Sequence, residues 1–388
     1  MRVLLISHSS PLKEGGAETR TREVAFRLAC LGHRVTVLCG KTDVDDPDLA
    51  EVNGVTMVCK KTLPDSLLKR FPYPHYIPLA AANLFLMFPA FFFLRKESFD
   101  LIREDMAPFP PTFLLSLAKL PASRRIVVVH MLAKTLRGWV KYYGLFFGFG
   151  GFIMDRLLRA GLLKYDRIVS DSKWFAEELK THRAISNRVR YVPNGVNLED
   201  FKPARIGREN NGQIKLLSVG RLVETKGHKF AIEALAYLKK EYPDIRLDIL
   251  GNGPMREPLT QLANDLGVAH MLEIRAPISH QEMPHLYAEY DFFVMPSIWE
   301  GLPVSLIEAM ASGLPIIAAD ITALTDVLDK NSATFAVSED AADLAEKLRW
   351  AFEHPGEIRS RAESAYEIAK SFDWAMTALH EIGEADDE

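Results

Sequence analysis

The sequence predicts an α/β protein of two Rossmann-like, doubly wound domains, and three observations carry that prediction. A pattern of short β-branched apolar strand, turn of small or charged residues, amphipathic helix and second apolar strand occurs in the first half and restarts in the second. A turn-rich, aperiodic interval, Val192-Pro193-Asn194-Gly195-Val196 and then Arg205 to Gly212, separates the two stretches and reads as a linker. The chain has 388 residues, which at roughly 150 per domain is about 2.6 domains.

In the first half, Val3 to Ile6 reads as a buried parallel strand. Gly15-Gly16-Ala17-Glu18 opens a helix to about Leu31, Gly32 stops it, and Val35 to Cys39 is the second strand. Further strands are expected at Leu101-Ile102, Ile126 to Val129 and Ile168-Val169. The second half restarts with a strand at Ile214 to Val219, a helix from Gly227 to Tyr242, a strand at Leu247 to Leu250 and a helix to Leu266. It continues with strands at Leu272 to Ile274, Phe292 to Met295 and Ile316 to Ala319, and helices near Gln281 to Tyr290 and from Pro303 to Ser312. Ala341 to Glu388 is helical by pattern, with Phe372 and Trp374 packing onto a domain and an acidic frayed end.

Lys and Arg number 47 against 51 Asp and Glu, a formal charge of −4, which argues against a protein that coats nucleic acid. Cys30, Cys39 and Cys59 are too widely spaced for a metal clip and read as core thiols of a reducing cytosol. Met1 to His8 is too short an apolar run for a signal peptide. The longest apolar stretch, Ile77 to Leu94, is interrupted by Pro78, Asn83 and Pro89; it is a buried helix, a monotopic membrane contact or, least economically, a span.

Chemistry concentrates in few places. Glu300 and Glu308 are separated by seven residues in Trp299 to Gly313. Pro303 at the first helical position would start a helix whose free amides favour an anion. Glu308 either accepts from a ribose diol or pairs with a neighbouring base, and Glu300 is either a ligand contact or a solvated acid. Arg221 and Lys226 flank a strand-to-helix turn, as a departing diphosphate needs, or serve as salt-bridge partners. Gly15-Gly16 lets backbone approach a ligand, or is a simple tight turn, and it is not the G-x-G-x-x-G fingerprint of dinucleotide binding. His130 emerges at a strand end, as a site residue or a structural one. Asp43 and Asp45 read as solvated loop acids, and no metal-ligand cluster is present in the sequence.

In order and spacing, these segments closely resemble the retaining glycosyltransferases of family 4, of GT-B fold. The resemblance rests on Gly15-Gly16-Ala17-Glu18, His130, Asp166 to Ser172, Val192 to Asn197, Gly220-Arg221 with Lys226-Gly227, Gly251-Asn252-Gly253-Pro254 and the E-x7-E pair Glu300 and Glu308. It implies two domains facing a cleft: 1–200 for the acceptor, 201–370 for the nucleotide sugar, and a tail helix, 371–388, packing back on the first. By the same resemblance Arg221 and Lys226 bind the donor diphosphate, Glu308 the ribose and Glu300 the transferred sugar. Backbone near Gly15, Gly16, Gly301, Leu302 and Pro303 touches phosphate or sugar, Ile278 cradles the base, and His130 lies beside the reacting sugar. The chain departs from the family at Thr322-Ala323 and Asp326, where Gly-Gly and Glu are usual, and at Ser332 after Asn331.

The implied chemistry is transfer from a nucleotide sugar, UDP first and GDP second, to a hydroxyl of a glycan, lipid-linked or natural-product acceptor, with retention and without metal or other cofactor. Since no carboxylate nucleophile is evident in the first domain, front-face transfer is more economical than a covalent intermediate. Segments 79–94 and 139–153, aromatic and flanked by Lys141 and Arg156, suit peripheral contact with the inner face of a membrane, or else a buried helix pair beside a soluble acceptor. A catalytically silent GT-B scaffold is the alternative function, and the intact Arg221, Lys226, Glu300 and Glu308 set argues against it.

Overall fold

The structure is a computed structural model describing residues 1–7, 11, 15–41, 49–61, 97–106, 122–130, 161–203 and 213–385, along which elements are numbered here. The chain forms two compact units, Met1–Pro193 with Trp374–Glu388, and Asn194–Asp373.

In the first unit the described strands form an eight-stranded sheet in the order β3-β4-β2-β1-β5-β6-β7-β8. These are β1 (Arg2–Ile6), β2 (Arg34–Lys41), β3 (Leu49–Val52), β4 (Val55–Lys61), β5 (Phe99–Met106), β6 (Ala122–Val129), β7 (Arg167–Ser170) and β8 (Val189–Tyr191). All pair in parallel except β3, which folds back on β4 through Asn53-Gly54, both with positive φ. The apolar run of β1 forms its strand because Val3, Leu4 and Leu5 are covered on both faces of the sheet. Helix α1 (Gly16–Cys30), capped by Gly15, lays Val24, Ala25 and Leu28 on that sheet. Helix α2 (Lys173–Lys180) follows β7.

The second unit holds a wholly parallel sheet, β11-β10-β9-β12-β13-β14, whose strands are β9 (Lys215–Val219), β10 (Arg246–Leu250), β11 (Leu272–Arg275), β12 (Phe292–Met295), β13 (Ile316–Ala319) and β14 (Thr334–Ala336). Its helices are α3 (His228–Leu238), α4 (Arg256–Asp265), α5 (Met283–Tyr287), α6 (Val304–Ala311), α7 (Thr322–Thr325), α8 (Ala341–Glu353) and α9 (Pro355–Ala369). Leu306, Ile307 and Met310 of α6 join one core layer with Phe293, while Ile232 and Leu235 of α3 join the other with Leu247 and Ile249. After Asp373 the chain returns to the first unit as α10 (Trp374–Ile382), where Ala378 and Ile382 pack beside Val24 and Leu28.

Several expectations need correction. Cys30, the last residue of α1, is exposed, whereas Cys39 and Cys59 are buried side by side on β2 and β4. The two units divide at Pro193–Asn194, inside the stretch read as the linker, although Val192, Asn194 and Val196 are buried. Pro303 caps α6 with an extended ψ of 126° and is not its first helical residue. The β3–β4 hairpin, β8 and β14 are additions to the predicted strands, and α5 is half as long as its periodicity indicates, with Pro284 in its first turn. Segments 79–94 and 139–153, with Asp43, Asp45, Lys141 and Arg156, lie outside the described residues.

Gly227 joins β9 to α3 at φ +63°, and a Cβ there would overlap the Pro296 carbonyl oxygen. No side chain relieves both constraints, so Gly227→Ala is expected to cost at least about 2 kcal/mol, seen as an earlier urea transition. Gly356→Ala, whose added methyl meets nothing within 4 Å in α9, should by contrast be neutral or stabilising by about 0.5–1 kcal/mol.

Candidate active site

In the second unit the polar residues that follow β9 and β12 meet. Thr225 accepts backbone hydrogen bonds from Ile298 at 2.9 Å and Trp299 at 3.3 Å, which lays the turn after β9 against the loop after β12. Gly227 allows that approach, as Gly251 allows the end of β10 to lie against the Gly220 carbonyl. Lys226 Nζ, carried in this turn, donates to both Glu300 oxygens at 2.6 and 2.7 Å, and Ser297 Oγ donates to Oε1 at 2.8 Å. Glu300 is buried, so the paired lysine is what makes its charge tolerable. Lys226 and Glu300, expected as separate ligand contacts, are thus direct partners. Arg221, two residues after β9, is exposed.

Glu308 is also buried, on the inward face of α6. His280 Nε2 lies 2.7 Å from its Oε1, and the Tyr287 hydroxyl donates to Oε2 at 3.0 Å. Burial and the neighbouring carboxylate push the Tyr287 phenol well up, so it stays a donor. Phe201 backs both rings, with centroids 5.7 Å from His280 and 6.0 Å from Tyr287. Ile278, two residues before His280, packs on the same core layer. Leu302 is buried and its carbonyl accepts from Asn194 Nδ2 at 2.6 Å, which holds the Gly301-Leu302-Pro303 entry to α6. Leu306 N–H returns to the Pro303 carbonyl at 3.1 Å, so the amides of Val304 and Ser305 are the ones a helix start leaves for a ligand. Beneath the turn, His228 is buried against Ser218, and burial with the Lys226 charge lowers it to about 4, which keeps it neutral.

The first unit holds a different cluster. His130, at the end of β6, has Nδ1 2.7 Å from Asp171 Oδ2 and Nε2 3.8 Å from Asp105 Oδ1. Asp105 Oδ2 also accepts from Thr21 Oγ1 at 2.5 Å and from Arg103 Nη1 at 2.6 Å. Burial disfavours the charged ring, but Asp171 and Asp105 outweigh it and lift His130 to about 9. Burial likewise opposes the Asp105 carboxylate, yet Arg103 and His130 hold it well below the usual range. On the opposite face of β5, burial raises Glu104 to about 7 against the Tyr165 hydroxyl that donates to it at 2.8 Å. Two carboxylates that the sequence reading did not single out, Asp105 and Asp171, thus stand beside His130, each engaged by a charged partner. Gly15 caps α1 at its start, with Glu18 folded toward it.

The residues missed from sequence are Ser297, His280 and Tyr287 in one unit and Asp105, Asp171 and Arg103 in the other. A charged Arg103-Glu104-Asp105 run inside a strand was the available signal, since charges at consecutive buried strand positions must find partners on both faces.

His130 rises from an ordinary 6.5 to about 9 on folding, so its stabilisation is complete below pH 6.5 and is lost as pH climbs through 9. The melting temperature of the parent should accordingly fall more steeply than that of His130→Gln between pH 7 and 9.5, by the equivalent of about 2–3 kcal/mol. Parallel slopes in differential scanning fluorimetry would contradict the charged ring.

Among the described residues no three His, Cys, Asp or Glu side chains converge as a metal site would require, and no helix is long and apolar enough to cross a membrane. Residues 14–200 match the model of Glycosyltransferase Family 4 and residues 201–370 that of Glycosyl transferases group 1. The chain is similar to MMP alpha-(1->4)-mannosyltransferase of Mycolicibacterium hassiacum, 26% identical over 98% of this chain and 97% of the relative. Among solved structures it resembles sucrose-phosphate synthase of Thermosynechococcus elongatus, with 21% identity, TM-score 0.78 and coverage of 99% of this chain and 97% of that one. It also resembles Anabaena HepE in complex with UDP-glucose, with 17% identity, TM-score 0.72 and 99% of each chain covered. The two parallel-sheet units have the GT-B fold of those structures, and with adjoining matches running from residue 14 to 370 the chain belongs to the family 4, group 1 glycosyltransferases.

Proposed function

We propose that this glycosyltransferase moves a hexosyl group from a nucleotide sugar to an acceptor hydroxyl with retention of anomeric configuration and without a metal. The observation that carries it is the pairing of buried carboxylates with fixed donors at the carboxyl edge of the second sheet: Glu300 on Lys226 and Ser297, Glu308 on His280 and Tyr287. Residues 201–370 then form the donor domain and residues 1–200 the acceptor domain, with 371–388 as the returning tail. Lys226 and the exposed Arg221 supply the positive charge that a departing diphosphate needs, with the first amides of α6 behind Gly301, Leu302 and Pro303. That charge is what a divalent cation provides in other phosphate-transferring sites, so no metal is invoked. Glu308, its two oxygens oriented by His280 and Tyr287, keeps lone pairs for the two ribose hydroxyls, and backbone at Ile278 holds the base. Glu300 accepts from the transferred sugar, while Gly15 and Gly16 admit phosphate or sugar close to backbone and His130 sets its charge beside the sugar.

Retention draws support from the chemistry of the carboxylates near His130. A double displacement needs an uncommitted nucleophile, whereas Asp105 is held by Arg103 and Thr21, and Asp171 by His130. Front-face attack, with the leaving phosphate taking the acceptor proton, requires none. A UDP-sugar is the first donor and a GDP-sugar the second; HepE, a structural neighbour in complex with UDP-glucose, supports the uridine choice.

A thermal-shift screen over UDP-, GDP- and ADP-sugars selects the donor. With it, Lys226→Ala and Glu308→Ala should each lower kcat/KM by about 10²–10³ while the fold survives, Glu308→Ala chiefly through donor binding. Undiminished turnover in both, or an inverted anomer in the product by proton NMR, contradicts the proposal. Activity in EDTA equal to that without it tests the metal-free step.

A further inference from the structure

The cluster around His130 does not stop at Asp105. Arg103, buried on β5, donates through Nη1 to Asp105 and through Nε to Glu381 Oε1. Arg20, buried on α1, donates to Glu381 Oε2 through Nε at 3.1 Å and Nη2 at 2.8 Å, and through Nη2 to the Val192 carbonyl at 3.1 Å. Glu381 belongs to α10, the helix that returns after the whole second unit, and lies 278 positions from Arg103. Arg20, Arg103 and Glu381 are fully buried. A continuous path of ion pairs therefore runs from the end of the chain to the ring of His130.

Charge accounting explains why the path matters. Among the described residues, the groups facing this chain of contacts are Arg20 and Thr21 from α1, Arg103 and Asp105 from β5, His130 after β6, Asp171 after β7 and Glu381 from α10. With an imidazolium, three cations meet three carboxylates. Glu381 holds two arginines at once, and without it the positive charge of Arg103 would no longer be offset and would disfavour the imidazolium that Asp105 and Asp171 support.

We infer that Glu381 is a positioning residue for transfer: by binding Arg20 and Arg103 it sets the geometry of Asp105 and, through it, the ring of His130. The inference rests on the placement of His130 beside the sugar proposed above. It assigns to the returning helix a part in the chemistry that a hydrophobic strap would not have.

The test follows the His130 imidazole by NMR in protein labelled at histidine Cε1, assigned with His130→Gln, for the parent, Glu381→Gln and Glu381→Asp. Glu381→Gln keeps the shape and removes the charge, so the His130 titration should move down by about one unit, and the alkaline limb of kcat/KM for the donor selected by the thermal-shift screen should move with it. Glu381→Asp keeps the charge on a shorter arm and should show a smaller move in the same direction. A folded Glu381→Gln protein with the parental titration and pH profile overturns the inference. If Glu381→Gln does not fold, Glu381→Asp, whose shorter arm cannot hold both arginines as before, must still displace the His130 resonance, and an unmoved resonance overturns it. Turnover of His130→Gln equal to the parent would sink the assignment of His130 itself, and the NMR titration, which needs no substrate, still reads the coupling to Glu381.

Discussion

Parallel strand pairing is the constraint on which this molecule depends. Because β9, β10 and β12 run the same way, the residues that leave them emerge on one edge, and the turn at Thr225 can accept hydrogen bonds from the loop at Ile298 and Trp299. Lys226 and Glu300, 74 positions apart, then become neighbours, Nζ against carboxylate. Two glycines complete this arrangement by removing the Cβ atoms that would hold the turns apart.

Burial decides the electrostatics of both clusters. A carboxylate placed behind a strand end loses water and must regain the interaction from fixed donors. Glu300 does so with a lysine, Glu308 with a phenol and an imidazole, Asp105 with a guanidinium, a hydroxyl and a nearby imidazole. The outcomes differ for His130 and His228. His130, between two aspartates, is held charged, whereas His228, buried beside Lys226, is held neutral. The same side chain thus serves two opposite electrostatic ends because of which charge stands next to it.

The returning helix α10 adds a non-local element to the first unit. Its apolar face joins the core layer of β1 and α1, an ordinary use of a helix, but it also inserts Glu381 between two buried arginines. Isolated in that core either arginine would be an uncompensated charge; together with Glu381, and with Asp105 beyond it, they form an alternating series that burial tolerates.

Much of this was legible in the sequence. Strands β1, β2, β5 to β7 and β9 to β13, the helices opened at Gly15 and Gly227 and the E-x7-E pair follow from local apolar runs, turn residues and motif spacing, which are properties of neighbouring positions, and the resemblance built on those motifs pointed to the GT-B family. The Asn53-Gly54 hairpin was equally local and was overlooked. What spacing cannot contain is which distant charge meets which. That Lys226 falls on Glu300, His280 on Glu308 and Glu381 on Arg20 and Arg103 depends on how sheets and helices close, over separations of 74, 28, 361 and 278 positions. The sequence by itself determined the elements, the family and the residue types that would carry charge. Only the tertiary structure decided their partners, because a buried charge takes its state from the groups packed around it and not from its neighbours along the chain.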